Sequence, residues 1–263
     1  MHDMSAIEDL MKLKYETSPT SKNILGISTT NMNDDLPRYS TSEAALETAL
    51  EYAAAKHGAA TKMLKLRDLG FRACEGYYSQ HMNACTWPCS ITEMEPKDGM
   101  TQVYRDMILW ADIILVATPI RWGNASSLYF KMAERLNCVQ NQITLKDRVL
   151  VKNKVASFII TGGQDNIQQV AGQMMVFFTD LGFTFPPFSF LGWSRGWTAE
   201  DMDKNILQFK KSEYVKRTAK ELVDNCVDTL QSIKHMDASK LKAPKPHKED
   251  SLSFGMDNPD MNV

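Results

Sequence analysis

The sequence predicts an α/β fold built on a five-stranded parallel sheet in the order 2-1-3-4-5. Three observations carry this. Five short apolar runs, near residues 24, 61, 113, 155 and 183, have the length of buried strands. Segments with helical spacing alternate with them, the pattern of right-handed crossover units. The 263 residues suffice for one full-size core with appendages.

Taken in order, residues 1–21 are polar with weak helical spacing and read as an arm packed on the body or on a partner subunit. Ile24 to Ile27 is the first strand. Ser40-Thr41-Ser42-Glu43 places hydroxyl caps before an Ala- and Leu-rich helix that runs to about His57. Thr61 to Leu66 is the second strand. Residues 67–99 form a long irregular insertion, and loops of that size are usually functional. Met100 to Trp110 is helical, Ile113 to Ala117 is the clearest buried strand, and a helix from about Ala125 to Asn137 follows. Val155 to Ile160 is the fourth strand, broken by Thr161-Gly162-Gly163, with a helix from there to about Leu181. Phe183 to Leu191 is the fifth strand; Pro186-Pro187 make it an edge strand or one that starts after them. Ala199 to Lys234 is helical with a break near Lys211. Residues 22–234 thus form one domain, and 235–263 read as a flexible tail.

Composition narrows the function classes. Lys plus Arg number 30 against 32 acidic residues, a formal charge of −2, so no overall basic field exists to hold nucleic acid. No stretch of about 20 apolar residues occurs, so no membrane span is expected. The N-terminal residues carry early acids and no apolar core, so no secretory signal is expected. Five cysteines make a disulfide scaffold improbable and fit a reducing, cytoplasmic setting. The 16 methionines read as core filler.

In a doubly wound sheet, ligands bind beyond the carboxyl ends of the strands at the switch point between strands 1 and 3. Three connections end there. After strand 1 come Ser28, Thr29, Thr30 and Asn31, then Ser40, Thr41 and Ser42. Hydroxyls and free N–H groups at a helix N-terminus suit a phosphate. Only Arg38 in this connection offers positive charge, beside Asp34 and Asp35, so hydrogen bonds and the helix dipole would do most of the holding. The same hydroxyls could simply cap the helix. After strand 3 come Pro119, Ile120, Arg121, Trp122, Gly123 and Asn124, which offer a turn, an apolar face and an aromatic, or else a packed turn. After strand 4 come Thr161, Gly162, Gly163 and Gln164, whose glycines expose backbone donors. Neither G-x-x-x-x-G-K-[ST] nor G-x-G-x-x-G occurs, which argues against a nucleoside-triphosphate loop and a dinucleotide fingerprint.

On these residues the sequence resembles the flavodoxin-like NAD(P)H-dependent FMN reductases, including the quinone-reductase and iron–sulfur flavoprotein branches. The carriers are Ser28-Thr29-Thr30 with Ser40-Thr41, the block Ala117 to Ser127 followed by Lys131 to Leu136, and Thr161-Gly162-Gly163-Gln164, over about residues 23–195. Family members usually carry an Arg after strand 1, where this chain has Thr30. The resemblance implies a flavodoxin-like three-layer sandwich. It implies an FMN with its phosphate at the first loop, its ring on 119–124 and its pyrimidine edge near 162–164. It also implies NAD(P)H as substrate, a quinone, flavin or other small acceptor, and a homodimer or homotetramer. No side chain is assigned as acid or base. The alternatives are an electron carrier with FMN, with or without an Fe–S cluster, that does not react with NAD(P)H, and a flavin-free module.

Cys74, Cys85 and Cys89 lie in the 67–99 insertion, where the iron–sulfur branch carries a tight four-cysteine set. Three cysteines at C-x10-C and C-x3-C depart from that pattern. They stand as cluster ligands at most, no metal is assigned, and packed or free thiols are expected. Tyr77, Tyr78, His81, Met82 and Trp87 are candidates to roof the flavin of this or a neighbouring subunit.

Overall fold

The computed structural model describes residues 8–12, 22–32, 39–163, 166–196, 198 and 204–234. Five parallel strands form one sheet in the order β2-β1-β3-β4-β5. They are β1 Asn23–Ser28, β2 Ala60–Lys65, β3 Ile113–Pro119, β4 Val155–Gly162 and β5 Phe190–Ser194. Every residue of β1, β3 and β4 is buried, because helices cover both faces. The flanking strands form the sheet edges: no residue of β2 is fully buried, and β5 alternates in burial. The expected fold and strand order are therefore observed.

One layer consists of α2 (Thr41–His57) and, near the C-terminus, α9 (Glu213–Lys234). In α9, Val215, Ala219, Leu222, Val223, Cys226, Val227, Leu230 and Ile233 recur at helical spacing and are buried against the sheet and α2. The other layer holds α1 (Glu8–Lys12), α3 (Ser90–Met94), α4 (Met100–Tyr104, continued by a π-helical turn, Arg105–Trp110), α5 (Ser127–Arg135), α6 (Asn137–Lys146) and α7 (Ile167–Leu181). Helix α8 (Asn205–Lys211) precedes α9. Gly26 of β1 permits the tight seating of α2, since a Cβ there would lie 2.8 Å from Leu50 Cδ1.

Several boundaries depart from the sequence-based expectation. The helix expected over 125–137 stops at Arg135, and a second helix, α6, follows to Lys146. The fifth strand begins at Phe190; of the earlier stretch only Thr184 makes an isolated bridge, to Val155. Pro186 and Pro187 cannot donate to a ladder, so pairing starts after them. The break expected near Lys211 is observed at Ser212, and residues 199–203, where this helix was expected to start, lie outside the described residues. At the end of α2, His57 Nε2 lies 2.6 Å from Asp224 Oδ1 of α9. Most of the N-terminal arm and all of the 235–263 tail lie outside the described residues. Within the arm, Leu10 is buried and its carbonyl accepts from Trp87 Nε1 at 2.9 Å. No helix among the described residues is long and apolar enough to cross a membrane.

Candidate functional site

Parallel pairing puts the ends of β1, β3 and β4 on one rim: Ser28 lies beside Ala117, and Pro119 beside Thr161. The three connections meet there and are tied together by side chains. Thr41 Oγ1 and Thr161 Oγ1 are 2.7 Å apart, joining the first turn of α2 to the end of β4. Asn166 Nδ2 donates to the Gly123 carbonyl at 2.9 Å, joining the turns after β3 and β4. Ser126 Oγ donates to the Thr29 carbonyl at 2.6 Å, and Asn31 Nδ2 donates to Ser127 Oγ at 3.0 Å, joining the β1 loop to the start of α5.

The first connection divides into structural and outward-facing groups. Ser28 donates its hydroxyl to Glu43 at 2.7 Å, and Thr29 is buried with its N–H on the Ala117 carbonyl. Both are committed to the protein. Ser40 is the N-cap of α2, its Oγ accepting from the Glu43 N–H at 3.4 Å and lying 3.1 Å from Ser42 Oγ. The N–H groups of Thr41 and Ser42 occupy the first helical positions, where no intrahelical acceptor exists, and no other described residue accepts from them. Thr30 is fully buried, as is Ser42, and Thr30 Oγ1 accepts from the Met32 N–H, whereas Asn31 is exposed. Asp34, Asp35 and Arg38 lie outside the described residues.

The second connection is a tight turn in which Arg121 and Asn124 exchange backbone hydrogen bonds at 2.8 and 2.9 Å. Its two central residues have positive φ, Trp122 at 50° and Gly123 at 74°, the pattern of a type I′ turn. A tryptophan there is strained. It is also 92% exposed, so packing does not compensate that strain within the chain. Ile120 is buried beneath the turn, and Gly162 meets it closely: a Cβ on Gly162 would lie 2.9 Å from Ile120 Cβ. Arg121 is exposed and reaches the Ile120 carbonyl at 3.2 Å. Asn124 Nδ2 donates to the Trp122 carbonyl. In the third connection Thr161 is buried and Gly163 half-buried, while Gln164 lies outside the described residues.

A charged cluster that sequence reasoning missed sits directly under the first loop. Glu43 accepts from Arg67 Nη1 at 2.7 Å and Nη2 at 3.2 Å, and lies 2.9 Å from Lys65 Nζ. Burial alone would raise this carboxyl, but hydrogen bonds from Arg67, Ser28 and Lys65 outweigh it and hold it below the usual range. Asn166, Ser126 and Ser127, which tie the loops, were likewise not assigned as site residues.

The cysteines sit elsewhere. Cys85, Cys89 and Cys138 are buried near Arg135, whose guanidinium pairs with Asp98 at 3.0 Å, and Asn137 Nδ2 donates to Cys85 Sγ at 3.3 Å. The neighbouring Cys138 thiol, against the opposing effect of burial, holds the Cys89 thiol down to about 5, with Arg135 assisting. Burial pushes the Cys138 and Cys85 thiols up. Cys74 instead lines a cavity of about 750 Å³ with Tyr78, Glu134, Asn137 and Asn141. Among the described residues no group of three or more His, Cys, Asp or Glu side chains is arranged to hold a metal ion, and the Fe–S alternative finds no support. Trp87, one of the roofing candidates, is partly buried and packs edge-on against Tyr104 at 5.1 Å beside the core.

Comparison with known proteins identifies the family of the chain. The NADPH-dependent FMN reductase family model matches residues 23–198, well over half of the chain. The 8-demethyl-8-aminoriboflavin-5′-phosphate synthase of Streptomyces davaonensis is 30% identical over 83 residues, which is 32% of each protein. The chain spans less than a third of the length of the curated relatives it matches, 16% of one and 32% of the other. In fold it is similar to RosB bound to 8-demethyl-8-formylriboflavin-5′-phosphate, with TM-score 0.66, 17% identity, and coverage of 92% of this chain and 95% of that one. It is also similar in fold to an NADH:FMN oxidoreductase, with TM-score 0.52, 15% identity, and coverage of 88% and 99%.

Proposed function

The chain belongs to the NADPH-dependent FMN reductase family, and from that premise we propose that it is an FMN-dependent oxidoreductase. It passes reducing equivalents from NAD(P)H through bound FMN to a small acceptor, a quinone or flavin among the candidates. FMN supplies the hydride chemistry, which no protein side chain can supply; the chain binds and orients it.

The residues present fit that group. The α2 N-terminus, with the Thr41 N–H group and the exposed Asn31 beside it, suits a phosphate and adds the helix dipole, while Thr30 and Ser42 are fully buried. Ser28 and Thr29 position that loop. The strained, outward Trp122 and the backbone of 119–124 offer a flat apolar face, and Gly162 and Gly163 bring N–H groups to a ring edge. The observation that carries the reading is the convergence of three separate turns, held by the Thr41–Thr161, Asn166–Gly123 and Asn31–Ser127 hydrogen bonds. Packing against a second copy would cover Trp122, which supports a homodimer or homotetramer. Five free thiols suit a reducing, cytoplasmic setting.

A second reading follows from the synthase likeness: the flavin phosphate is itself the substrate and leaves chemically altered. One experiment separates them. Protein loaded with FMN is mixed anaerobically with NADPH or NADH in a stopped-flow instrument, and the flavin is afterwards recovered for mass measurement. Bleaching at 450 nm with FMN recovered unchanged supports the reductase. A flavin of altered mass supports the synthase-like reading. No bleaching with either nicotinamide contradicts the first reading.

A further inference from the structure

We propose that Asn166, at the start of α7, is a positioning residue for the flavin ring: its side-chain amide holds the strained turn after β3 in the shape that presents Trp122 outward. The inference rests on the FMN reading above and adds to it a residue that acts through Trp122.

The turn adopts a conformation that its first central residue disfavours. Trp122 and Gly123 both have positive φ, and type I′ turns take Asn, Asp or Gly at these positions far more readily than tryptophan. The reciprocal backbone bonds of Arg121 and Asn124 close the turn from within. Two side-chain amides then hold the carbonyls of its central residues. Asn124 Nδ2 donates to the Trp122 carbonyl at 3.1 Å, again from within the turn. Asn166 Nδ2 donates to the Gly123 carbonyl at 2.9 Å from another element, 43 positions away.

Three features mark that contact as built for the turn. Asn166 occupies the N-cap position of α7, where an asparagine ordinarily accepts an N–H of its own helix through its side-chain oxygen, yet it makes no cap hydrogen bond. Its amide is directed to the neighbouring turn instead, and the group received there is a carbonyl, which needs a donor; an ionised aspartate has none. Gly123 makes room for it. A Cβ at 123 would lie 2.7 Å from Asn166 Nδ2, so the glycine supplies the space for the amide as well as the positive φ. Finally, the base of the tether is seated on the sheet. Ile167 packs on β5 so closely that a Cβ on Gly192 would lie 2.5 Å from Ile167 Cγ2, and the Asn166 carbonyl accepts from the Val170 N–H at 3.1 Å. The strain of the turn is thus held from a packed helix start. A turn released from this tether would spend less time in the binding shape, and apparent flavin affinity falls in proportion to that fraction. FMN and riboflavin share the ring, so both should lose alike.

A double-mutant cycle separates positioning through Trp122 from a general structural role. The full-length apoprotein is titrated with FMN and with riboflavin by flavin fluorescence, as wild type, N166A, W122G and the double variant. N166A should weaken both flavins by about fivefold with the ratio of their affinities unmoved. In the W122G background the same change should cost less than about twofold, because glycine needs no tether to hold that conformation. N166D, which keeps the side-chain shape and removes the donor, replaces N166A in the cycle if the alanine variant fails to fold. Wild-type protein that binds FMN, with the Asn166 change costing nothing or costing the same in both backgrounds, overturns this inference alone. Wild-type protein that binds neither flavin overturns the parent reading.

Discussion

Thr41, in the first turn of α2, and Thr161, at the end of β4, share a 2.7 Å hydroxyl–hydroxyl hydrogen bond across 120 positions of sequence. The bond fixes the N-terminal end of α2 relative to the turn after β4. T161V keeps the shape of the buried residue and removes the bond. Its expected cost is about 1 kcal/mol of stability, read from urea unfolding. FMN affinity should weaken by more than riboflavin affinity, because the phosphate end loses its position. An unchanged FMN affinity would show that the bond does not organise the site.

Trp122 carries strain without compensating burial, with φ of 50° and 92% exposure. Glycine adopts that conformation freely. W122G should therefore raise stability by about 1 kcal/mol while weakening flavin binding, a trade of stability for function. Thermal melts and FMN titrations on one preparation decide it. Loss of stability with unaltered binding would mean that the tryptophan serves the turn and not the ligand.

The strands were legible because parallel strands buried on both faces read as unbroken Ile, Val and Leu runs. Ser40 was legible as a cap because hydroxyl caps precede helices by rule, and the rim followed from strand order. Helix α6 was not, since Asn137 to Lys146 is rich in Asn and Gln and carries no clear apolar stripe. The fifth strand was set too early because Phe183 and Phe185 are apolar for another reason: they pack beside Phe178 and Phe158. The Glu43–Arg67 and Asn166–Gly123 contacts join residues 24 and 43 positions apart, and no local pattern announces them. The commitment of Ser28 and Thr29 to internal partners was equally invisible, because a hydroxyl's direction is set by tertiary packing.

Lys154 gives a pH signature independent of the site. Burial holds its ammonium down, to about 8, with Asp112 opposing, and it donates to the Ala111 carbonyl. In the unfolded chain a lysine titrates near ~10.4. Between these values the unfolded chain binds more protons, so this group's contribution raises stability as pH rises from about 8 toward ~10.4. Wild type should therefore gain in stability relative to K154M over that window, in urea midpoints taken at half-unit steps. A difference that stays flat or falls with pH would contradict the buried placement of this amine.

The claim that three turns jointly hold one flavin mononucleotide is tested most directly by amide hydrogen exchange with and without saturating FMN. The account predicts FMN-dependent protection in three separated segments, 30–31 with 40–42, 119–124 and 161–163, with little change around Cys74 and Asn141. Saturable FMN binding that protects none of these segments, or only one of them, would contradict it.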